Sequence, residues 1–232
     1  MPRLFSRTAI LVSEDLNHLD RVRAAIPVGR PPVAAVLVKR SLDMMIAVII
    51  GLLSAPLMLF IAAAIKLTSS GPILFCHYRV GKGGRPFKFF KFRSMVVDAE
   101  RLKADLMHHN EKDGPIFKMR CDPRVTPIGR WLRRYSLDEL PQLYNVLIGD
   151  MSLVGPRPPV PSEVMQYQPW HLRRLSVTPG LTCIWQTSGR SQVSFDEWMQ
   201  MDMHYIDNWN LALDLKLLCK TVKAVLLAEG SY

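Results

Sequence analysis

The sequence predicts an α+β chain, mostly helical, in which a re-entrant membrane helix, a small β-hairpin and interfacial amphipathic helices surround a compact cytoplasmic domain. Three observations lead there. A run without charge from Met44 to Ile65 lies between basic flanks and is broken by Pro56. The segments PILFCHYRV and RPFKFFKFRSM are β-rich and flank the turn GKGG. Most of the remaining chain carries helical periodicity with start and stop residues in place.

Residues 1–38 read as a flexible basic arm, with Pro27, Pro31 and Pro32 near its end and little periodicity. Its longest apolar run is too short for a secretory signal. Residues 39–68 follow as the membrane helix. A straight helix from Met44 to Ile65 would measure about 33 Å at ~1.5 Å per residue, enough for a hydrocarbon core of ~30 Å. Charge opposes a crossing. Arg21, Arg23, Arg30, Lys39 and Arg40 precede the run and Lys66, Arg79, Lys82, Arg85 and Lys88 follow it, so both flanks favour the cytoplasmic side. Pro56 removes one helical hydrogen bond and crowds the Leu52 carbonyl, so a bend there would let the helix dip and return.

Residues 69–232 form the third part, a cytoplasmic domain. Ser69-Ser70-Gly71-Pro72 is a turn into the hairpin, and GKGG lacks the spacing of a phosphate loop. VVDAERLKADLMHH, from residue 96, reads as helix until Gly114-Pro115 closes the segment. The arginine-dense stretch IGRWLRRYSLDELPQLYNVLIGDMSLVGPRPP comes next. In the last segment Leu211, Leu215, Leu218, Val222 and Val225 share one helical face and Lys216, Lys220 and Lys223 another, which suits either a membrane interface or packing on the core.

The chain has 232 residues and a net charge of +10, which favours an anionic partner: a phosphorylated ligand, an acidic membrane surface or nucleic acid. Four widely separated cysteines match neither a disulfide framework nor a paired zinc pattern, and so read as reduced thiols. His108 and His109 are adjacent instead of helically spaced, which suits a surface loop better than a metal site.

SLDEL, residues 136–140, admits two readings. Ser136 followed three residues later by Glu139 is a capping box. Alternatively Asp138 and Glu139 form a catalytic pair with different roles, since adjacent helical residues point about 100° apart and cannot share one proton well. One carboxylate would attack a phosphorus while the other helps hold a metal, and Mg²⁺ is the expected ion because it accepts one or two carboxylates completed by substrate phosphate. In Gly155-Pro156-Arg157-Pro158-Pro159 the prolines fix the backbone around one guanidinium, which makes either a plain rigid turn or a phosphate-binding arginine. Lys91, Arg93 and Arg190 are further basic candidates for phosphate binding, with a solvated surface role as the alternative.

KRSLD before the proline-broken run, GPILFCHYRVG, FKFFKFRSM, SLDELPQLYNVLIGDMSLVGPRP, TPGLTCIWQTSGR and the closing GSY together resemble the bacterial sugar transferase family, the monotopic polyprenyl-phosphate phosphoglycosyl transferases. The resemblance covers about residues 39–232. It implies a transferase that moves a sugar 1-phosphate from a UDP-sugar to polyprenyl (undecaprenyl) phosphate with release of UMP, the first membrane step of exopolysaccharide or surface glycan synthesis. It implies Asp138 as nucleophile, through a covalent aspartyl-phosphosugar, Glu139 as the residue positioning Mg²⁺, and Arg157 as the phosphate-binding arginine. It also implies a place in the bacterial inner membrane with the catalytic domain, 69–232, in the cytoplasm. The carboxyl-terminal blocks look most like members that use galactose or glucose. Smaller members often carry Ser-Pro at the helix break, where this chain has Ala55-Pro56 with Ser54 one position earlier. The short arm suggests the compact, catalytic-only form, and a homo-oligomer stays open.

Two rivals follow from the same residues. Lysine interleaved with phenylalanine in FKFFKF suggests a membrane-tethered nucleic-acid-binding regulator, although no helix-turn-helix, zinc or RNP signature accompanies it, so no nucleic acid partner is expected. A non-catalytic scaffold of the same fold is the other.

Overall fold

A computed structural model describes residue 26 and residues 32–188 and 193–227. Most of the basic arm and Arg190 therefore lie outside the described residues. The first helix, α1 (Val33–Thr68), begins within the last part of the expected arm, directly after Pro32. It is followed by the antiparallel pair β1 (Leu74–Val80) and β2 (Pro86–Phe92), joined by a 3₁₀ turn at Lys82–Gly84 where Gly83 and Gly84 take positive φ. Then come α2 (Ala99–Asp105), α3 (Pro127–Arg134), a 3₁₀ turn at Leu137–Glu139, α4 (Gln142–Ile148) and β3 (Ser152–Val154). After α5 (Pro161–Val164) and a 3₁₀ segment at His171–Ser176 lie β4 (Gly180–Thr182), α6 (Ile184–Thr187), α7 (Phe195–Asp207) and α8 (Leu211–Leu226).

The predicted hairpin is present, in the register Cys76 opposite Phe90. Its period of two sends Phe87 and Phe89 into the main core, and Phe92 is buried against Leu132 and Ile65. These phenylalanines of FKFFKF are core residues, not a stacking platform. A second pair went unpredicted. β3 and β4 run parallel, with Ser152 opposite Gly180 and Val154 opposite Thr182. Gly155 and Gly180 face each other there so closely that a Cβ on Gly180 would stand 2.0 Å from the Gly155 amide nitrogen.

Two groups of contacts fasten α1 to this domain. Towards its start, Lys39 Nζ lies 2.6 Å from Asp214 Oδ2, Arg40 donates to the carbonyls of Val146 (2.5 Å) and Leu147 (2.8 Å), and Asp43 accepts from the Ser152 hydroxyl (2.7 Å) and the Leu153 amide (3.3 Å). Towards its end, Ile61 and Ile65 are fully buried with Phe92 and Leu132. Between the two, Leu52, Leu53, Leu59 and Phe60 are exposed, each by two thirds or more. α1 is long and apolar enough to cross a membrane, and few of its apolar side chains are buried. An apolar surface of this kind marks a membrane-bound protein. The helix runs through Pro56, and the nearby Ser54 hydroxyl donates to the Gly51 carbonyl (3.4 Å), not to the Leu52 carbonyl, whose usual helical donor Pro56 lacks.

Of the two settings the spacing left open for the apolar stripe of α8, core packing holds only for Leu218, which is partly buried against the main core. The buried positions of the helix are Asp214 and Leu217, while Leu215 and Val222 are exposed. Asp214 is the reason. It is drawn inward by Lys39, by the Tyr205 hydroxyl (2.8 Å) and by the Trp209 indole (3.1 Å), and this rotates the helix so that Leu215, Leu218 and Val222 face a large cleft.

Candidate active site

The capping box is not formed. Ser136 has φ of 54°, a left-handed conformation that is uncommon outside glycine, and its side chain makes no cap. Its amide donates to the Arg133 carbonyl instead (3.1 Å), so Glu139 has nothing to satisfy there. The chain turns sharply at Ser136 into the 3₁₀ turn that carries both acids. They take up contact with the hairpin: Lys91 Nζ lies 2.6 Å from Glu139 Oε1 and 3.5 Å from Asp138 Oδ2.

Asn145 sets this register. It is fully buried on α4, donates to the Lys88 carbonyl (2.7 Å) and accepts from the Phe90 amide (3.3 Å), filling the place of a neighbouring strand along β2. Lys91 is thereby carried to the turn that holds the two acids.

Asp138 is buried and Glu139 is partly open to the cleft. Burial pushes Asp138 above the ordinary carboxylate range, and the neighbouring Glu139 adds to this while Lys91 opposes it. Burial also pushes Glu139 up, but Lys91, with Arg157 and Arg79 behind it, outweighs burial and holds Glu139 below its usual value. The environment therefore divides two adjacent carboxyl groups into a more basic and a more acidic one.

Arg157 follows β3 in the Pro-Arg-Pro loop, is half-buried, and has its guanidinium 5.8 Å from the Trp198 ring centre. Two further arginines join the acids although sequence reasoning did not single them out as site residues. Arg79 on β1 is half-buried, donates to the Pro158 carbonyl (3.1 Å), and has its pKa lowered to about 10 by burial and by the Arg157 charge. Arg133, five residues before Asp138, donates to the Ser94 hydroxyl (3.0 Å) and is lowered by burial against the pull of Asp138. Arg79 resembles any strand arginine in sequence. Arg133 could have been found from α3, whose face containing Gly129 and Leu132 is buried while Arg130 and Arg134 are exposed.

Arg93 also borders the large cleft, but its Nη2 is engaged at the end of α1. It is buried, and Nη2 donates to the carbonyl (2.9 Å) and hydroxyl (2.7 Å) of Ser69, closing the carboxyl end of α1. It is a helix-end clamp, with Nη1 left without a partner. His108 and His109 are exposed in a short 3₁₀ turn, as expected.

Asp138, Glu139, Lys91, Arg79, Arg133 and Arg157 all line one cleft of about 1190 Å³. Ile46 and Ile50 of α1 and Leu215 and Val222 of α8 also line it. A cationic floor carrying two carboxylates thus shares a cleft with an apolar wall from the membrane helix. Among the described residues no three His, Cys, Asp or Glu side chains cluster to enclose a metal. Asp138 and Glu139 together make a pair of adjacent donors, a set that suits an ion completed by water and substrate phosphate.

A profile described as bacterial sugar transferase matches residues 34–228. The chain is 47% identical over 194 residues to "Galactosyl transferase CpsE" of Streptococcus agalactiae, covering 83% of this chain and 43% of that protein. It is 41% identical over 201 residues to "Undecaprenyl-phosphate galactose phosphotransferase" of Salmonella typhimurium, covering 84% and 41%. It is also 41% identical over 198 residues to "Exopolysaccharide production protein ExoY" of Sinorhizobium fredii, covering 84% and 88%. The chain thus spans less than half of the first two relatives and most of the third. With a match of this extent, and the acids, lysine and arginines of its motifs gathered in one cleft, the chain belongs to the bacterial sugar transferase family.

Proposed function

We propose that the chain is a phosphoglycosyl transferase that moves a hexose 1-phosphate from a UDP-hexose to polyprenyl phosphate and releases UMP. The observation that carries this reading is the pairing of Asp138 and Glu139 under Lys91, faced by Arg79 and Arg157, in a cleft with an apolar wall from α1. A carboxylate among cations, in a cleft that also has an apolar wall, suits two anionic substrates of which one is membrane-bound.

In the first step an Asp138 carboxylate oxygen attacks the sugar-bearing phosphorus, and the bond from that phosphorus to the bridging oxygen breaks. UMP leaves with the bridging oxygen and its electron pair. In the second, a phosphate oxygen of the polyprenyl phosphate attacks the same phosphorus, the acyl phosphate bond breaks, and Asp138 is restored as a carboxylate. The upward shift of Asp138 suits a nucleophile, since a more basic carboxylate attacks better. Lys91 holds the acids in place, and Arg157 and Arg79 offset the charge gathering on the phosphate oxygens. Mg²⁺, when bound, would be held by Glu139 and substrate phosphate and would neutralise phosphate charge.

The fastening of α1 at Lys39–Ala47 and again at Ile61–Ile65 supports a re-entrant helix whose apolar middle dips into the bacterial inner membrane from the cytoplasmic side. A panel of UDP-sugars assayed with undecaprenyl phosphate for UMP release tests the activity. UDP-galactose or UDP-glucose should outperform N-acetylated donors, in keeping with the galactose in the names of two relatives. Absence of UMP with every donor would refute the reaction class.

A further inference from the structure

The loop that carries Arg157 is fixed to a degree that its prolines alone do not explain. Pro156, Pro158 and Pro159 have no amide to donate, so the loop is held through its carbonyls, and four in succession are engaged. The Pro156 carbonyl accepts from the Gly180 amide (2.9 Å) and the Pro159 carbonyl from the Val80 amide (2.9 Å). The Pro158 carbonyl accepts from Arg79 (3.1 Å), and the carbonyl of Arg157 itself accepts from Arg174 Nη2 (2.9 Å).

Arg174 differs from the other donors. It is 2% exposed, does not line the cleft, and cannot reach a substrate there. Nη2 also lies 2.7 Å from Asp202 Oδ2, a close ion pair set off the donor line, and Nη1 donates to the Tyr167 hydroxyl at 2.5 Å. Asp202 is equally buried, on α7, one turn beyond Trp198. The Trp198 ring centre is 5.1 Å from the Arg174 guanidinium carbon and 5.8 Å from that of Arg157. One aromatic ring thus serves two guanidinium groups, and the carboxylate behind them offsets their charge in a region with little water.

A buried ion pair is often no better for stability than apolar side chains of the same volume. What this pair supplies is direction. We propose that Arg174, seated by Asp202 and Trp198, is a positioning residue that aims Arg157 into the cleft by holding its main chain. The inference rests on the reading of Arg157 as the phosphate-binding arginine.

A double-mutant cycle tests it, with UMP release from the UDP-hexose measured for wild type, Arg174→Lys, Arg157→Ala and the double variant, each corrected for folded protein by thermal melting. Lysine keeps the charge against Asp202 but loses the fork that also spans to the Arg157 carbonyl. Arg174→Lys should lower kcat/KM about tenfold in the wild-type background and less than about twofold in the Arg157→Ala background, because residues acting through one another do not add. Equal losses in both backgrounds would show a general structural role and overturn the inference while leaving Arg157 in the site. A fully active Arg157→Ala would overturn the phosphate-binding reading and the inference with it. Should Arg174→Lys fail to fold, Tyr167→Phe removes only one acceptor of Arg174 and enters the same cycle. A two- to threefold loss, on the order expected for one hydrogen bond, that disappears without Arg157 supports the proposal, and an additive loss opposes it.

Discussion

Lys91 lies closer to Glu139 than to Asp138, 2.6 Å against 3.5 Å, so one ammonium group serves two adjacent carboxylates unequally. That inequality accompanies the opposite shifts of the two acids and gives them different work. Lys91 Nζ lies 5.7 Å from the Phe89 ring centre, and replacing Lys91 with methionine keeps an unbranched side chain while removing the charge. The loss in kcat should be on the order of 10²-fold, as for removal of one preorganised electrostatic group. Steady-state UMP release checks it, and a change confined to KM would point to binding alone.

Asp138→Asn should abolish turnover and at the same time stabilise the protein at neutral pH. The sign follows from the upward shift. A carboxyl whose folded value is raised contributes stability only below its unfolded value, near 3.8, and that stability is lost as pH rises through the folded value. At pH 7 the buried charge is therefore a net cost, which asparagine does not carry. Melting temperatures of the two proteins should differ at pH 7 in favour of Asp138→Asn and converge towards pH 4. A less stable variant at neutral pH would contradict the assignment.

Asn145→Ala should cost about 2 to 4 kcal/mol, because it strands the Lys88 carbonyl and the Phe90 amide without partners. Chemical denaturation measures this. Activity should fall beyond the loss of folded protein, since the same side chain fixes the register that brings Lys91 to the acids.

For the membrane, single cysteines introduced near Ser6 and near Ser231, in a background without the native cysteines, should both resist an impermeant reagent in intact cells. Labelling of the amino-terminal site alone would establish a crossing helix. Pro56→Leu should shift the protein towards that pattern, because it restores the hydrogen bond that the break removes.

The parts of the site that were legible in the sequence are those whose chemistry is unusual for their surroundings. Two adjacent acids in a basic chain, an arginine between prolines and an apolar run with basic flanks each stand out, and the structure brings Asp138, Glu139, Lys91 and Arg157 together. What stayed hidden depends on tertiary contacts. Ser136 carries the composition of a cap, yet its positive φ is imposed by the turn between α3 and the acids. β3 and β4 are three residues each, too short for any periodicity to register. Arg93 and Arg79 alternate with apolar residues as exposed strand cations do, and only packing shows one clamping α1 and the other facing Glu139. Asp214 decides which face of α8 turns inward because Lys39, far away in the chain, draws it to the domain.

The covalent intermediate is the central claim, and intact-protein mass spectrometry tests it most directly. Wild-type protein given UDP-hexose without lipid acceptor should gain the mass of one hexose phosphate and release an equal amount of UMP. Adding undecaprenyl phosphate should discharge the adduct, and Asp138→Asn should show none. UMP formed only when both substrates are present, with no adduct at any time, would contradict the account, as would an adduct of the same mass on Asp138→Asn.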